Sequence, residues 1–175
     1  MYSVRRTHRK GFTLVEILIV VIILGILAAI VIPQFTSASQ DARKNSLTSQ
    51  LQTLRSQIEL YKLQHLDALP STLVGGTPAW TQLTSKTDSA GNVGTVAGTH
   101  VFGPYLQADP TNPLNNSKKV KVVTADVTGG GASGCDSTSA EGFIINSSNG
   151  KIWGTSAKYT KVYNEANSAD ANNDL

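Results

Sequence analysis

The hydrophobic pattern of the chain changes sharply at Phe12. From Phe12 to Ile32 every residue is apolar or glycine, except Thr13 and Glu16. As an α-helix, this stretch would extend about 31 Å, close to the thickness of the hydrocarbon core of a bilayer. The pattern therefore predicts a membrane-spanning helix over residues 12–32.

A different pattern follows the apolar run. Apolar side chains recur at steps of four, three, four and three residues, at Leu47, Leu51, Leu54, Ile58 and Tyr61. This spacing places them on one face of a helix. Pro70 disfavours helical backbone in the residue before it, so the helix is expected to end near Leu66. We predict an amphipathic helix over residues 33–66 whose apolar face packs on a sheet.

The strand patterns lie in the last third of the chain. Residues 119–127 alternate in part, and the apolar segments 142–146 and 151–155 flank Asn149-Gly150, a strong hairpin signal. A fourth strand is expected at 158–163. The predicted class is α+β, with a long N-terminal helix packed on a small antiparallel sheet of three or four strands.

The segments between these elements show little periodicity. Residues 67–118 are rich in Gly, Thr, Ser and Pro and are interpreted mostly as loop, with a short helix starting at Pro78. The predicted globular domain covers residues 67–163. Residues 164–175 have almost nothing to bury and are expected to form a flexible tail.

Two residues weaken the long helix. Pro33 removes one backbone hydrogen bond, and Gly25 lowers helix propensity a little over two turns earlier. The interval between them is a candidate flexible joint. An ordinary kink at Pro33 is the alternative, and the residue pattern alone does not separate the two.

Charge separates the first eleven residues from the rest. Four of the 15 Lys and Arg residues precede Phe12. Residues 12–175 therefore contain 11 Lys and Arg and 12 Asp and Glu, a net charge of −1. The basic flank is expected to stay in the cytoplasm, with the remainder outside it. Nucleic-acid binding is disfavoured, because the remaining basic cluster at Lys118, Lys119 and Lys121 is typical of a solvated strand.

Motifs for catalysis are weak. Cys135 is the only cysteine, so it cannot form an intramolecular disulfide. A thiol nucleophile with His100 as its base is disfavoured, because the Gly-rich segment around Cys135 would not hold the thiol in a fixed position. No phosphate-binding loop, zinc-ligand spacing or nucleophile elbow occurs in the sequence. The chain is therefore not expected to be an enzyme.

The apolar run has two simple interpretations. It could be a secretory signal cleaved after Thr36-Ser37-Ala38, although it is longer than the usual apolar region of such signals. It could be a plain signal anchor. Glu16 argues against the anchor, because a carboxylate inside the hydrocarbon costs roughly 2–3 kcal/mol or more and is rarely left without a partner.

The segment from Lys10 to Ile30, with its Gly-Phe-Thr-Leu-Val-Glu start, resembles the type III signal of type IV pilins and type II secretion pseudopilins. The resemblance implies that a prepilin peptidase removes residues 1–11 by cutting between Gly11 and Phe12 and methylates the new Phe12 amine. It also implies an inner-membrane precursor that becomes a homopolymeric, extracytoplasmic filament.

The resemblance also implies an assembly role for Glu16, and such a role has an independent physical basis. Cleavage creates an ammonium group at the start of a helix, and a carboxylate from a neighbouring subunit can meet it. Each charge is costly alone in an apolar helical core, and pairing relieves both. The alternative is that Glu16 binds only the free amide groups of its own helix.

Two further segments favour the secretion type of filament. Residues 103–106 and 109–114 resemble the loop between helix and sheet in major pseudopilins. Because Cys135 is the only cysteine, the chain cannot form the C-terminal disulfide loop common among pilins. The implied partners are the inner-membrane assembly platform and minor pseudopilins. A pilin for adhesion, motility or DNA uptake is the first alternative. An exported binding domain, with Trp80, Trp153 and Tyr163 lining a ligand face, is the second.

Calcium is the cofactor that the resemblance suggests, because major pseudopilins commonly bind it near the C-terminus. Asp170, Asn172 and Asp174 have the alternate spacing of the start of a calcium loop, without its glycine or closing Glu. Asp126 and Asp136 flank the Gly-rich loop and are the other candidates. None matches the family loop residue by residue, and a solvated acidic tail is the alternative.

Overall fold

The computed structural model describes residues 11–74, 79–127, 140–158 and 161–166. Within these ranges it contains the helices α1 (Leu14–Gln64), α2 (Ser71–Val74) and α3 (Thr81–Thr84), followed by the strands β1 (Val120–Val123), β2 (Phe143–Asn146) and β3 (Ile152–Gly154). The molecule divides into two units between Ser39 and Gln40. The long helix and small sheet confirm the predicted α+β class.

The first unit contains the start of α1. Its side chains are exposed on all sides of the helix, including the whole apolar run. Among the described residues, α1 alone is long and apolar enough to cross a membrane, with a mean hydropathy of 3.3 over its most apolar 18 residues. A helix that is apolar all round requires lipid or other helices around it. The membrane-spanning role of residues 12–32 stays a prediction.

The second unit is built on the apolar stripe of α1. All five predicted stripe residues, from Leu47 to Tyr61, are buried, and they share a core with Phe143, Ile145 and Ile152. At Gly154 the strand approaches α1 so closely that a Cβ atom would lie 2.9 Å from Leu47 Cδ2. The amphipathic helix therefore packs on the sheet, as its periodicity predicted, and ends at Gln64.

The sheet is mixed rather than wholly antiparallel. Its order is β1-β2-β3, with β2 and β3 joined as the predicted antiparallel hairpin. β1 runs parallel to β2, with Val120 opposite Phe143, so the prediction for this pair was wrong. The long connection between the two strands permits this arrangement, because a crossover can return the chain to the start of the sheet. The expected fourth strand is represented by a single bridge between Thr155 and Val162.

One buried asparagine ties the proline-rich loop to the sheet. Asn112 Nδ2 donates to the carbonyl oxygens of Gly142 at 2.7 Å and Thr155 at 2.9 Å. Its Oδ1 accepts a bond from the amide of Leu114 at 2.8 Å. Residues 85–119 contain no strand. A short helix, α3, begins at Thr81, and Pro78, where the sequence predicted its start, lies outside the described residues. The loop is therefore fixed by side-chain bonds to the backbone of the sheet.

Candidate functional site

The candidate assembly site begins with a capped helix end. Thr13 Oγ1 accepts a hydrogen bond from the backbone amide of Glu16 at 3.2 Å, and the Thr13 amide donates back to Glu16 Oε2 at 3.3 Å. This reciprocal pair is a capping box, which satisfies two amide groups that a helix start leaves free. Sequence reasoning missed the contribution of Thr13, although the Thr-x-x-Glu spacing is the signature that could have found it.

The Glu16 carboxylate uses only one oxygen for this cap. The Thr13 hydroxyl also donates to Oε2, at 3.3 Å, and Oε1 has no hydrogen-bond partner among the described residues. A carboxylate in the first turn also interacts favourably with the helix dipole. Glu16 therefore makes the local contacts that were considered as the alternative to an assembly role, and it retains one oxygen for another donor.

Gly11 and Phe12 lie just outside the helix. Neither belongs to a regular element, and α1 begins two residues later at Leu14. The Phe12 side chain is 81% exposed, and the space around the Gly11 Cα is open. The backbone between them therefore lies outside the hydrogen-bonded helix, and cleavage there stays a prediction.

The two residues of the predicted joint are both helical in this structure. Gly25 and Pro33 lie within α1, and the hydroxyl groups of Thr36 and Ser37 donate to the carbonyl oxygens of Ile32 and Pro33. The helix thus continues through Pro33 with additional bonds from side chains directly after it. The flexible joint stays a prediction, and neither residue is brought together with Glu16.

Of the four acidic calcium candidates, the structure describes only Asp126. Asp136, Asp170 and Asp174 lie outside the described residues, as does Cys135. Asp126 Oδ1 accepts bonds from Asn146 Nδ2 at 2.6 Å and Asn149 Nδ2 at 2.7 Å. Its Oδ2 accepts a bond from the Lys151 ammonium. No group of three His, Cys, Asp or Glu side chains suited to a metal occurs in the described part of the chain.

These contacts determine the electrostatics of Asp126. The hydrogen bond from Lys151 is the largest effect, and those from Asn149 and Asn146 add to it, so the pKa of Asp126 falls to about 2. Each of these donors stabilises the ionised carboxylate. Asp126 is therefore negatively charged at any pH at which the domain would normally be studied.

The aromatic residues considered for a ligand face take part in packing. Trp80 and Tyr163 are buried in the main core, and Trp153 packs against a smaller cluster on the other side of the sheet. The Trp80 indole nitrogen donates to the Lys118 carbonyl oxygen at 2.7 Å. These three rings therefore support the fold and do not line a common binding surface.

Comparison with known proteins addresses the N-terminal segment first. Residues 6–32 match the family model described as the prokaryotic N-terminal methylation motif. Type II secretion system core protein G from Pseudomonas aeruginosa is 41% identical over 71 residues, which are 41% of this chain and 49% of that protein. The protein of the same name from Escherichia coli is 35% identical over 57 residues, or 33% and 39% of the two chains.

A further relative matches over a longer stretch. The type IV major fimbrial protein FimA from Dichelobacter nodosus is 34% identical over 113 residues, which are 62% of this chain and 70% of that protein. The chain spans less than half the length of the two secretion proteins described above. No solved structure matches the chain. The methylation motif, which includes the apolar run, and the long match to FimA show that the chain belongs to the type IV pilin-like family, which includes fimbrial proteins and the core protein G of type II secretion.

Proposed function

We propose that this chain is the structural subunit of a type IV pilus-like filament and has no catalytic role of its own. The observation that carries the proposal is the methylation motif joined to an apolar helix whose first turn contains Glu16. A carboxylate is costly at this position in lipid, and a neighbouring subunit can relieve that cost. Residues 12–32 would hold the precursor in the inner membrane until assembly.

Processing would prepare the partner for this carboxylate. In the proposed sequence of events, prepilin peptidase removes the cytoplasmic leader, residues 1–11, and methylates the Phe12 amine. The capping box leaves Glu16 Oε1 without a partner among the described residues, so Glu16 can cap its own helix through Oε2 and bind a neighbour's Phe12 ammonium through Oε1. One side chain would then stabilise the helix start and fix the register between subunits.

The favoured filament is the pseudopilus of a type II secretion system. The relatives named core protein G support it, as do the loop segments 103–106 and 109–114. In that setting the mature filament would be periplasmic, and the partners would be an inner-membrane assembly platform and minor pseudopilins.

A surface pilus for adhesion, motility or DNA uptake is the second candidate. It is favoured by the FimA match, which extends over 113 residues, whereas the two matches to core protein G described above extend over 71 and 57 residues. Complementation separates the two candidates. Restored secretion in a type II secretion strain that lacks core protein G supports the pseudopilus, whereas surface filaments and twitching in a pilin-deficient strain, without restored secretion, support the pilus.

The mass of the mature N-terminus tests the processing step. The full chain is expressed with and without a prepilin peptidase, and the N-terminal peptide is analysed by mass spectrometry. We expect a methylated Phe12 only when the peptidase is present. A mature chain starting at Ser39 would instead indicate a secretory signal, and an intact Met1 in both samples would indicate an anchored binding domain.

Replacement of Glu16 tests assembly separately from processing. Glu16→Ala is expected to leave cleavage before Phe12 intact and to reduce filament yield strongly, as measured by shearing and electron microscopy. Glu59→Ala is the matched control, because Glu59 is an exposed carboxylate on the same helix whose partner is Lys62. Filaments of normal yield and length from Glu16→Ala would contradict the pairing role.

A further inference from the structure

The Asp126 cluster, which consists of Asp126, Asn146, Asn149 and Lys151, fastens two parts of the sheet together. Asp126 follows β1, Asn146 ends β2, and the other two residues belong to the turn that leads into β3. Three bonds run alongside the cluster: the Ser147 amide and hydroxyl donate to the Val123 carbonyl oxygen at 2.9 and 3.3 Å, and Ser148 Oγ donates to the Thr124 carbonyl oxygen at 3.3 Å. The cluster therefore holds the end of β1 against the hairpin turn.

The orientation of both asparagine amides is fixed by the turn itself. Asn146 Oδ1 accepts the Ser148 amide at 2.8 Å, and Asn149 Oδ1 accepts the Lys151 amide at 3.0 Å. Turning either amide around would face its NH₂ group toward a backbone N–H and break that bond. Both amides therefore present N–H donors to Asp126, and their oxygens are already used.

This set of donors does not fit calcium. Calcium requires six to eight oxygen ligands. Around Asp126, the described side chains contribute two amide N–H donors and one ammonium group. The positive charge that balances the carboxylate is already part of the chain. The depressed pKa of Asp126, caused mainly by Lys151, agrees with this arrangement.

We propose that the Lys151 ammonium occupies the position that a bound metal cation would have in the Asp126 cluster. The ion pair between Lys151 and Asp126, and not calcium, then connects the end of β1 to the hairpin turn. A covalently attached cation cannot be removed by a chelator or diluted by export to a calcium-poor medium. The strength of the ion pair between Lys151 and Asp126 depends instead on ionic strength. The two side chains are 60% and 43% exposed, and salt screens exposed pairs.

The test uses the full chain in detergent micelles, with Tm measured by circular dichroism in excess EGTA or in millimolar calcium. Calcium bound at the Asp126 cluster would give a difference in Tm between the two media that Asp126→Asn removes, and we expect Asp126→Asn to leave any such difference unchanged. Lys151→Met and Asp126→Asn are each expected to lower Tm by about 2–4 °C, and the double variant should unfold no more than about 1 °C below the single ones, since both remove the same interaction. High salt should reduce these losses.

Lys121→Met is the matched control. Lys121 lies on β1, and the same substitution there removes an ammonium group that is not part of the cluster, so Tm should change by no more than about 1 °C. The proposal is overturned if calcium raises the Tm of the wild type and Asp126→Asn abolishes that response. Additive Tm losses from Lys151→Met and Asp126→Asn would overturn it as well.

Discussion

Arg55 on α1 binds Glu165 through both terminal nitrogens of its guanidinium group, at 2.8 and 2.5 Å. The same side chain donates to the carbonyl oxygen of Ile152 at 2.8 Å. One residue of the helix thus fixes both the start of β3 and a segment 110 residues away in sequence. Bidentate contacts between arginine and carboxylate restrict geometry more than a lysine could, because the guanidinium group is planar.

Arg55→Met is therefore expected to destabilise the globular domain by about 1 kcal/mol, a modest value because the Arg55 side chain is 38% exposed. Urea unfolding of the full chain in micelles, followed by circular dichroism, measures the change. Arg43→Met is the matched control, since Arg43 is an exposed arginine on the same helix. Equal losses in the two variants would show that the pair with Glu165 contributes nothing.

Replacement of Asn112 should have a larger effect than replacement of Arg55. Asn112→Ala leaves the Leu114 amide and the Thr155 carbonyl oxygen without the partners they have now, in a buried position, and we expect a loss of about 2–4 kcal/mol. Asn45→Ala, on the exposed face of α1, should change stability by less than about 0.5 kcal/mol. Chemical denaturation tests both, and a similar small change in the two would contradict the role of Asn112.

Local patterns predicted the parts of the fold that depend on neighbouring residues. The spacing from Leu47 to Tyr61 predicted which face of α1 is buried, because helical periodicity is set by the backbone alone. Asn149-Gly150 predicted the hairpin, and Gly150 has the positive φ of 77° that glycine tolerates best. Thr13 and Glu16 could have been predicted as a cap in the same way.

Long-range pairing could not be predicted from such patterns. The parallel direction of β1 depends on how the chain returns after Val123, which alternation within the strand does not reveal. The contact between Arg55 and Glu165 joins distant positions whose residue types are common on any surface. The sequence predicted that Asp126 could contact a cation but not which cation. It suggested calcium bound by oxygen ligands, whereas the contacts of Asp126 in the structure are the Lys151 ammonium and two amide donors.

Alkaline pH should destabilise the domain through Tyr61. Burial raises the pKa of Tyr61 from 10.0 to about 12, with smaller contributions from Tyr105 and Asp88. Between these values the unfolded chain loses the phenol proton while the folded protein keeps it, so the free energy of unfolding falls as the pH rises. Tyr61→Phe should lose less stability over this interval. Urea midpoints measured from neutral pH upward test this, and parallel losses in the two proteins would contradict it.

Gly25 and Pro33 allow a prediction about the helix itself. Pro33 has no amide hydrogen to donate, and glycine lowers helix stability by about 1 kcal/mol relative to alanine. If these residues form a joint, the amides between them open more readily than those of residues 47–61, which pack on the sheet. Hydrogen exchange of the full chain in micelles should then be slowed about fivefold by Gly25→Ala in this interval, and more strongly by Pro33→Ala.

The same experiment distinguishes a joint from a kink. In this structure α1 is helical through both residues, which either interpretation permits. A kink changes the direction of a helix without increasing the rate at which its amides open, so exchange between Gly25 and Pro33 would be no faster than exchange in residues 47–61. A joint requires faster exchange in the wild type and slower exchange in both variants. Because residues 47–61 are unchanged in every sample, they provide the internal reference for that comparison.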